Sequence, residues 1–121
     1  MSSDPNRAPN TAATSLAPAE AQPNPREAKR MRAIGHKLHP VVTVSERGVS
    51  DAVLAELDRA LTDHELIKVR LNLPREARGT ALKQLTTASR AYAVQTIGRV
   101  ALLLRRTAKP KAHLSNLVRA F

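Results

Sequence analysis

Between Val41 and Leu73 the hydrophobic pattern changes period twice, and few folds accommodate that. Val41-Val-Thr-Val44 is a β-branched run and reads as a strand. Ser45-Glu-Arg-Gly48 is a short polar loop. Ser50 is a good N-cap and Asp51 suits a first helical turn. Val53, Leu57 and Leu61 then recur every four residues, with Leu54 and Ala60 beside them, which gives a helix to about Asp63 with one buried stripe. From Glu65 to Leu73 the period drops to two. Ile67, Val69, Leu71 and Leu73 face one way, and Lys68, Arg70 and Asn72 face the other. A strand, a loop opening directly onto a helix N-terminus, and a second strand bearing two cations on one face is an arrangement suited to holding a phosphate backbone.

The flanking segments extend the pattern. Pro25 can start a helix without losing a needed hydrogen bond. Residues 26–36 read as a short basic helix, with Ala28, Met31, Ile34 and Gly35 near one face and Arg26, Lys29, Arg30 and Arg32 on the rest. His39-Pro40 forces an extended entry into the first strand. Residues 75–90 form a third helix, with Ala77, Ala81, Leu82 and Leu85 inward and Gly79 weakening its middle. Tyr92–Ile97 and Val100–Arg105 are strands three and four. Gly98-Arg99 is their tight turn, so these two pair antiparallel. The other links contain helices, which permits parallel neighbours. The order is therefore a helix followed by β-α-β-α-β-β, an α/β class.

Charge bounds the partner. Residues 1–25 hold one base (Arg7) and two acids (Asp4, Glu20). The other 96 residues hold 19 Lys/Arg against 8 Asp/Glu, a net of +11. So basic a unit suits a polyanion, because each neutralised phosphate releases condensed counterions. Four bases crowded on the first helix repel one another unless a polyanion is near, and Arg99, Arg105, Arg106, Lys109 and Lys111 extend the same logic at the other end. Tyr92 and Phe121 are the only aromatics, so a platform of several stacked bases is out of reach and RNA would be read by shape and backbone.

Several classes drop out. There is no Cys, hence no disulfide or thiolate site. The longest apolar run, Val100–Leu104, is far short of the roughly 18 residues of a membrane span. A secretory signal is absent, and a cytoplasmic location is expected. His36 and His39 are three apart but lack a third ligand nearby, so no metal or other cofactor is expected. Glu56 and Asp58 do not share a helix face, and no Ser–His–Asp set, Walker loop or dinucleotide fingerprint occurs. The chain is not expected to be an enzyme. Residues 1–25 carry five of the eight prolines and read as a disordered leader. Residues 26–107 are the folded domain. Residues 108–121 read as a basic tail in which Leu114, Leu117 and Val118 form at most one amphipathic turn.

Ile34-Gly-His36, Leu38, Pro40-Val-Val42, Gly48, Val53-Leu-Ala-Glu-Leu57, His64-Glu-Leu-Ile-Lys-Val69, Val94-Gln95 and Ile97-Gly98 form a collinear set. In these residues the sequence resembles the CRM domain, the chloroplast RNA splicing and ribosome maturation module, and more closely its stand-alone bacterial YhbY-type members, over about residues 28–107. The resemblance implies a four-stranded mixed sheet similar to the C-terminal domain of translation initiation factor three. It also implies RNA as the ligand and association with the large ribosomal subunit precursor. Members of the family use a Gly-x-x-Gly loop between the first strand and second helix to approach phosphate. Here the loop is Ser45-Glu46-Arg47-Gly48. Gly48 is kept, Ser45 replaces the first glycine, Arg47 adds a cation and Glu46 an unhelpful anion. The expected RNA contacts are Lys29, Arg30, Arg32, Lys37, Ser45, Glu46, Arg47, Gly48, Lys68, Arg70 and Arg99, in a monomer without a small-molecule substrate. Two alternatives remain: a protein-interaction adaptor on ribosomal particles, docking through Leu114, Leu117, Val118 and Phe121, or a nonspecific nucleic-acid-binding protein.

Overall fold

The computed structural model describes residues 22–119. Three helices, α1 (Pro25–Gly35), α2 (Asp51–His64) and α3 (Arg75–Ser89), accompany four strands, β1 (Pro40–Val44), β2 (Leu66–Leu71), β3 (Tyr92–Ile97) and β4 (Val100–Leu104). Sequence order and spatial order differ: the sheet runs β1-β2-β4-β3. β1 and β2 are parallel, as the α2 crossover allows, whereas β4 is antiparallel to both neighbours. The result is the mixed four-stranded sheet expected. The last strand takes a central place because it is the most apolar: Ala101, Leu102, Leu103 and Leu104 are all buried, and a strand covered on both faces needs no polar side.

Each face of the sheet carries its own core. On one side α2 and α3 pack Leu57, Leu61, Ala81 and Leu85 against Val42, Val44, Ile67, Val69, Leu71, Ala101 and Leu103. On the other, α1 packs Met31, with Ile34 and Leu38, against Leu66, Leu102 and Leu104. Burying each of these Val, Leu, Ile or Met side chains contributes about 1.5–3 kcal/mol. Gly35 brings α1 close: a Cβ there would lie 3.0 Å from a Leu102 methyl carbon. Helix entry is fixed by a reciprocal capping box, in which the Asn24 side chain accepts from Glu27 N while the Glu27 carboxylate accepts from Asn24 N. Part of the region expected to be leader is thus structured. Besides the Asn24 cap, Gln22 donates to the Tyr92 hydroxyl at 2.9 Å. The remainder, residues 1–21, lies outside the described residues.

The sequence reading is corrected at two further places. Glu65 belongs to no strand. It ends α2 at φ 62°, its N–H donating to Leu61 O, and its side chain is buried. That carboxylate accepts from Ser115 Oγ and from Thr107 N, both at 2.7 Å. The second correction follows from the first: residues 107–119 are not a loose tail. They make two successive hydrogen-bonded turns, Lys111–Ser115 and Ser115–Arg119. Asn116 bonds the backbone at His64 and Leu66, His64 Nδ1 donates to Leu114 O, and Leu117 covers the α1-side core. Two ion pairs, Arg106 with Glu27 and Lys111 with Asp63, pin the segment further. Both acids titrate below the ordinary carboxylate range. For Glu27 the main cause is the Asn24 N–H and then Arg106; for Asp63 it is the hydrogen bond from Lys111.

Candidate nucleic-acid interface

Because α1 covers only one end of its face of the sheet, the other end stays open. The strand register lays that end out in rows. Thr43, Arg70, Val100 and Ile97 lie side by side across the four strands, and the next row is Pro40, Lys68, Leu102 and Gln95. Arg70, Thr43 and Ile97 are exposed, while Lys68 and Gln95 are half-buried. No carboxylate lies in either row, and neither Lys68 nor Arg70 has an ion-pair partner among the described residues. A cavity of about 230 Å³ sits here, lined by Gly35, His36, Lys68, Gln95, Ile97 and Val100 over Leu102.

The loop after β1 and the turn after β3 join this surface at the same end of the strands. Asn72 N donates to Val44 O, and Arg99 extends its guanidinium to Asn72 Oδ1 at 3.4 Å. Ser45–Gly48 is a β-turn closed by Gly48 N donating to Ser45 O at 2.8 Å. Gly48 adopts φ 80°, whereas Ser45 keeps a negative φ. The departure from two loop glycines therefore carries no backbone strain: only the last position of this turn uses the left-handed region. Ser45, Glu46 and Arg47 are exposed and lead straight to α2, whose N-cap Ser50 accepts from Val53 N. An added Cβ at Gly48 meets nothing within 4 Å, so Gly48→Ala isolates the backbone effect. It is expected to lower stability by about 1–2 kcal/mol, with Gly48→Asn losing less, in urea unfolding. Equal stability of all three proteins would show that the turn relaxes freely.

The sites expected on α1 are placed differently. Lys29 and Arg30 are exposed and Arg32 half-buried, on the helix and not in the sheet rows. Arg30 donates to Leu117 O at 2.8 Å, so it also holds the C-terminal segment. Lys37 is exposed in the α1–β1 loop. Arg105, read from its sequence as one of the outward cations, is internal: it bonds Asp58 Oδ1 and O, Ser89 O and Thr62 Oγ1, tying α2 and α3 to the end of β4. Two polar side chains on the open face were not expected from sequence. Thr43 sits on an apolar-looking strand. Gln95 is turned toward the α1 side by an irregular register between Ala93 and Gln95, which puts Val94 against α1 and Gln95 beside Lys68. Alternation alone does not reveal such a bulge. Among the described residues no group of three or more His, Asp or Glu could hold a metal ion, and no helix is long and apolar enough to cross a membrane.

The model of the CRS1 / YhbY (CRM) domain matches residues 24–105, from the N-cap of α1 to the end of β4. The chain belongs to the CRS1/YhbY (CRM) domain family. Relatives of this CRM protein carry RNA in their names. A probable RNA-binding protein of Pseudomonas aeruginosa is 50% identical over 92 residues, covering 75% of this chain and 88% of its own length. An RNA-binding protein of Haemophilus influenzae is 35% identical over 85 residues, covering 69% and 86%. A probable RNA-binding protein of Bacillus subtilis is 33% identical over 82 residues, covering 67% and 85%. The solution structure of a hypothetical Staphylococcus aureus protein shares the CRM fold, with a TM-score of 0.62 at 22% identity over 69% of this chain and 88% of that one. The C-terminal segment from Arg106 onward lies beyond the matched domain.

Proposed function

We propose that this CRM protein binds structured ribosomal RNA and assists assembly of the large ribosomal subunit precursor. The observation that carries the reading is the open half of the sheet, where Lys68 and Arg70, with no ion-pair partner among the described residues, lie near Arg99 and the Ser45–Gly48 turn at one end of the strands. Long-range attraction brings a protein of net charge +10 to RNA. In this reading the two strand cations, Arg47 and Arg99 engage phosphates, with the positive end of the α2 dipole beside them. Glu46 and Asp51 oppose that contact locally, so the sheet rows carry more of it than the loop. Tyr92 stands at the far end of the sheet from Arg70 and bonds Gln22, which leaves this face without an aromatic platform and favours recognition of backbone shape. The names of the relatives agree with RNA as the ligand.

The adaptor alternative loses ground because Leu117 packs on the core and Leu114 is half-buried, with its carbonyl held by His64. Phe121 lies outside the described residues. The test is sedimentation of cell lysate through a sucrose gradient at low and moderate salt. Enrichment with large-subunit precursors over mature ribosomes is expected. Recovery only in the free fraction at both salts would withdraw the assembly role, and a preference for duplex DNA over structured RNA at equal salt would withdraw RNA itself.

A further inference from the structure

The cavity of about 230 Å³ on the open sheet face differs in chemistry from the basic surface around it. Its floor is Leu102, 3% exposed, which the register of β4 places between Lys68 of β2 and Gln95 of β3. The C-terminal end of α1 closes one end, where Gly35 lies against the Leu102 methyl carbons and His36 follows it in the lining. Val100 and Ile97, paired directly in the next row, close the other end. Ile97 is 62% exposed, an apolar side chain the fold leaves in water. Beside it, the half-buried Gln95 carboxamide has no hydrogen-bond partner among the described residues, and neither has the His36 ring. Gln95 reaches this place only through the irregular register after Ala93; regular alternation would turn it to the opposite face. No carboxylate lines the cavity.

We infer that this cavity receives a single unpaired base of the bound RNA, its faces against Ile97, Val100 and the His36 ring and its edge on the Gln95 carboxamide. The inference rests on the RNA-binding reading above and adds one position at which sequence is read, since phosphate contacts position a protein and base contacts specify. A phosphate would be poorly held inside the cavity: Lys68 is the one Lys or Arg in the lining, and the floor and far wall are apolar. A nucleobase has two apolar faces and a polar edge, which matches that lining. A volume below the roughly 300–1,000 Å³ of pockets for drug-sized ligands suits one ring system. The carboxamide both donates and accepts, so it can make a two-pronged pair with a base edge that offers one of each, adenine among them. Lys68 and exposed Arg70 stand beside the cavity as cations for the flanking phosphates, which favours a base within an RNA strand over a free aromatic molecule. The scarcity of aromatics rules out a stack of several bases, but one inserted base needs no such platform.

The test is selection by the full chain from a pool of RNA hairpins with randomised loops, followed by affinity measurements on the recovered RNA. The unaltered protein is expected to enrich one base identity at one unpaired position. Gln95→Ala is expected to lose that preference and to bind the recovered RNA about fivefold to fiftyfold more weakly. Its slope of log affinity against log salt should stay unchanged, because no phosphate contact is removed. Gln95→Glu, which as a carboxylate can only accept, should move the preference toward a donating edge such as the cytosine amino group. Ile97→Ser, at an exposed position, should also weaken binding without changing the slope or the melting temperature. A pool recovered with no base preference, or a preference that Gln95→Ala retains, would overturn the pocket and leave the RNA-binding reading standing. Failure of the unaltered protein to retain any RNA would overturn both.

Discussion

The double substitution Lys68→Ala with Arg70→Ala is expected to weaken binding of structured ribosomal RNA by about tenfold to a hundredfold near 0.1 M salt, and to reduce the slope of log affinity against log salt by about 1.5–2. The two residues sit in adjacent rows of the open sheet face, on the one strand that has a cation on that face in each row. Neither side chain makes a hydrogen bond or ion pair among the described residues, and Arg70 is exposed while Lys68 is half-buried. Alanine at both should leave the melting temperature within a few degrees, since surface changes away from caps and cores cost little. Affinity measured across a salt series distinguishes this surface from diffuse attraction. If RNA gripped the protein only through its overall charge of +10, removing any two exposed bases would have the same effect. Lys83→Ala with Arg75→Ala, both exposed on α3, is the matched control and is expected to lower affinity much less. Equal losses in the two double variants would remove the sheet face from the proposal.

Deleting residues 107–121 is expected to lower stability by about 3–5 kcal/mol, because it removes both hydrogen-bond donors of the Glu65 side chain and the apolar cover of one core. For a domain of this size that is a fall in melting temperature of about 15 °C or more. The Glu65 side chain, 2% exposed in the intact fold, would lose both of its donors, Ser115 Oγ and Thr107 N, and the residues that cover it. Leu66, Leu104 and Met31 would lose the cover of Leu117 at the same time. Ser115→Ala separates the two contributions. It removes one donor to Glu65 and the acceptor of Leu117 N while the Leu117 side chain remains, and should cost about 1–3 kcal/mol. Thermal unfolding followed by circular dichroism checks both; a truncated chain that melts with the full one would mean the segment is a passenger. The same contacts limit how the adaptor alternative can be examined. Truncation damages the domain itself, so a loss of particle binding on truncation does not identify a docking site. Substitution of exposed Val118 is the cleaner probe.

Much of the fold was legible in short stretches. The alternation from Ile67 to Leu73 predicted both the strand and its buried side, and Val53, Leu57 and Leu61 predicted the stripe of α2. Ser50 as N-cap, Gly98-Arg99 as the hairpin turn and the parallel crossover of α2 were equally local. These features follow from period, capping and turn chemistry, which act over a few residues. Of the candidate surface, Lys68 and Arg70 were legible for the same reason: strand alternation puts them on one face. The role of Glu65 was not. In sequence it reads as the polar first residue of the second strand, and its two donors lie more than forty residues away. Arg105 reads as another surface cation for the same reason, since its acceptors come from α2 and α3.

The sequence by itself determined that this chain is a small basic α/β domain with a helix, a β-α-β-α-β-β order, two cations on one strand face and a family loop that keeps its last glycine. Those properties are written in residue type and spacing. The tertiary structure alone decided that β4 sits at the centre of the sheet, that α1 covers one half of a face and leaves the rows of Lys68 and Arg70 open, and that the C-terminal segment folds back over Leu66. Each of these depends on which apolar surfaces find one another across long separations. That choice is made by the total area buried and the hydrogen bonds satisfied in the whole molecule, which no local period encodes.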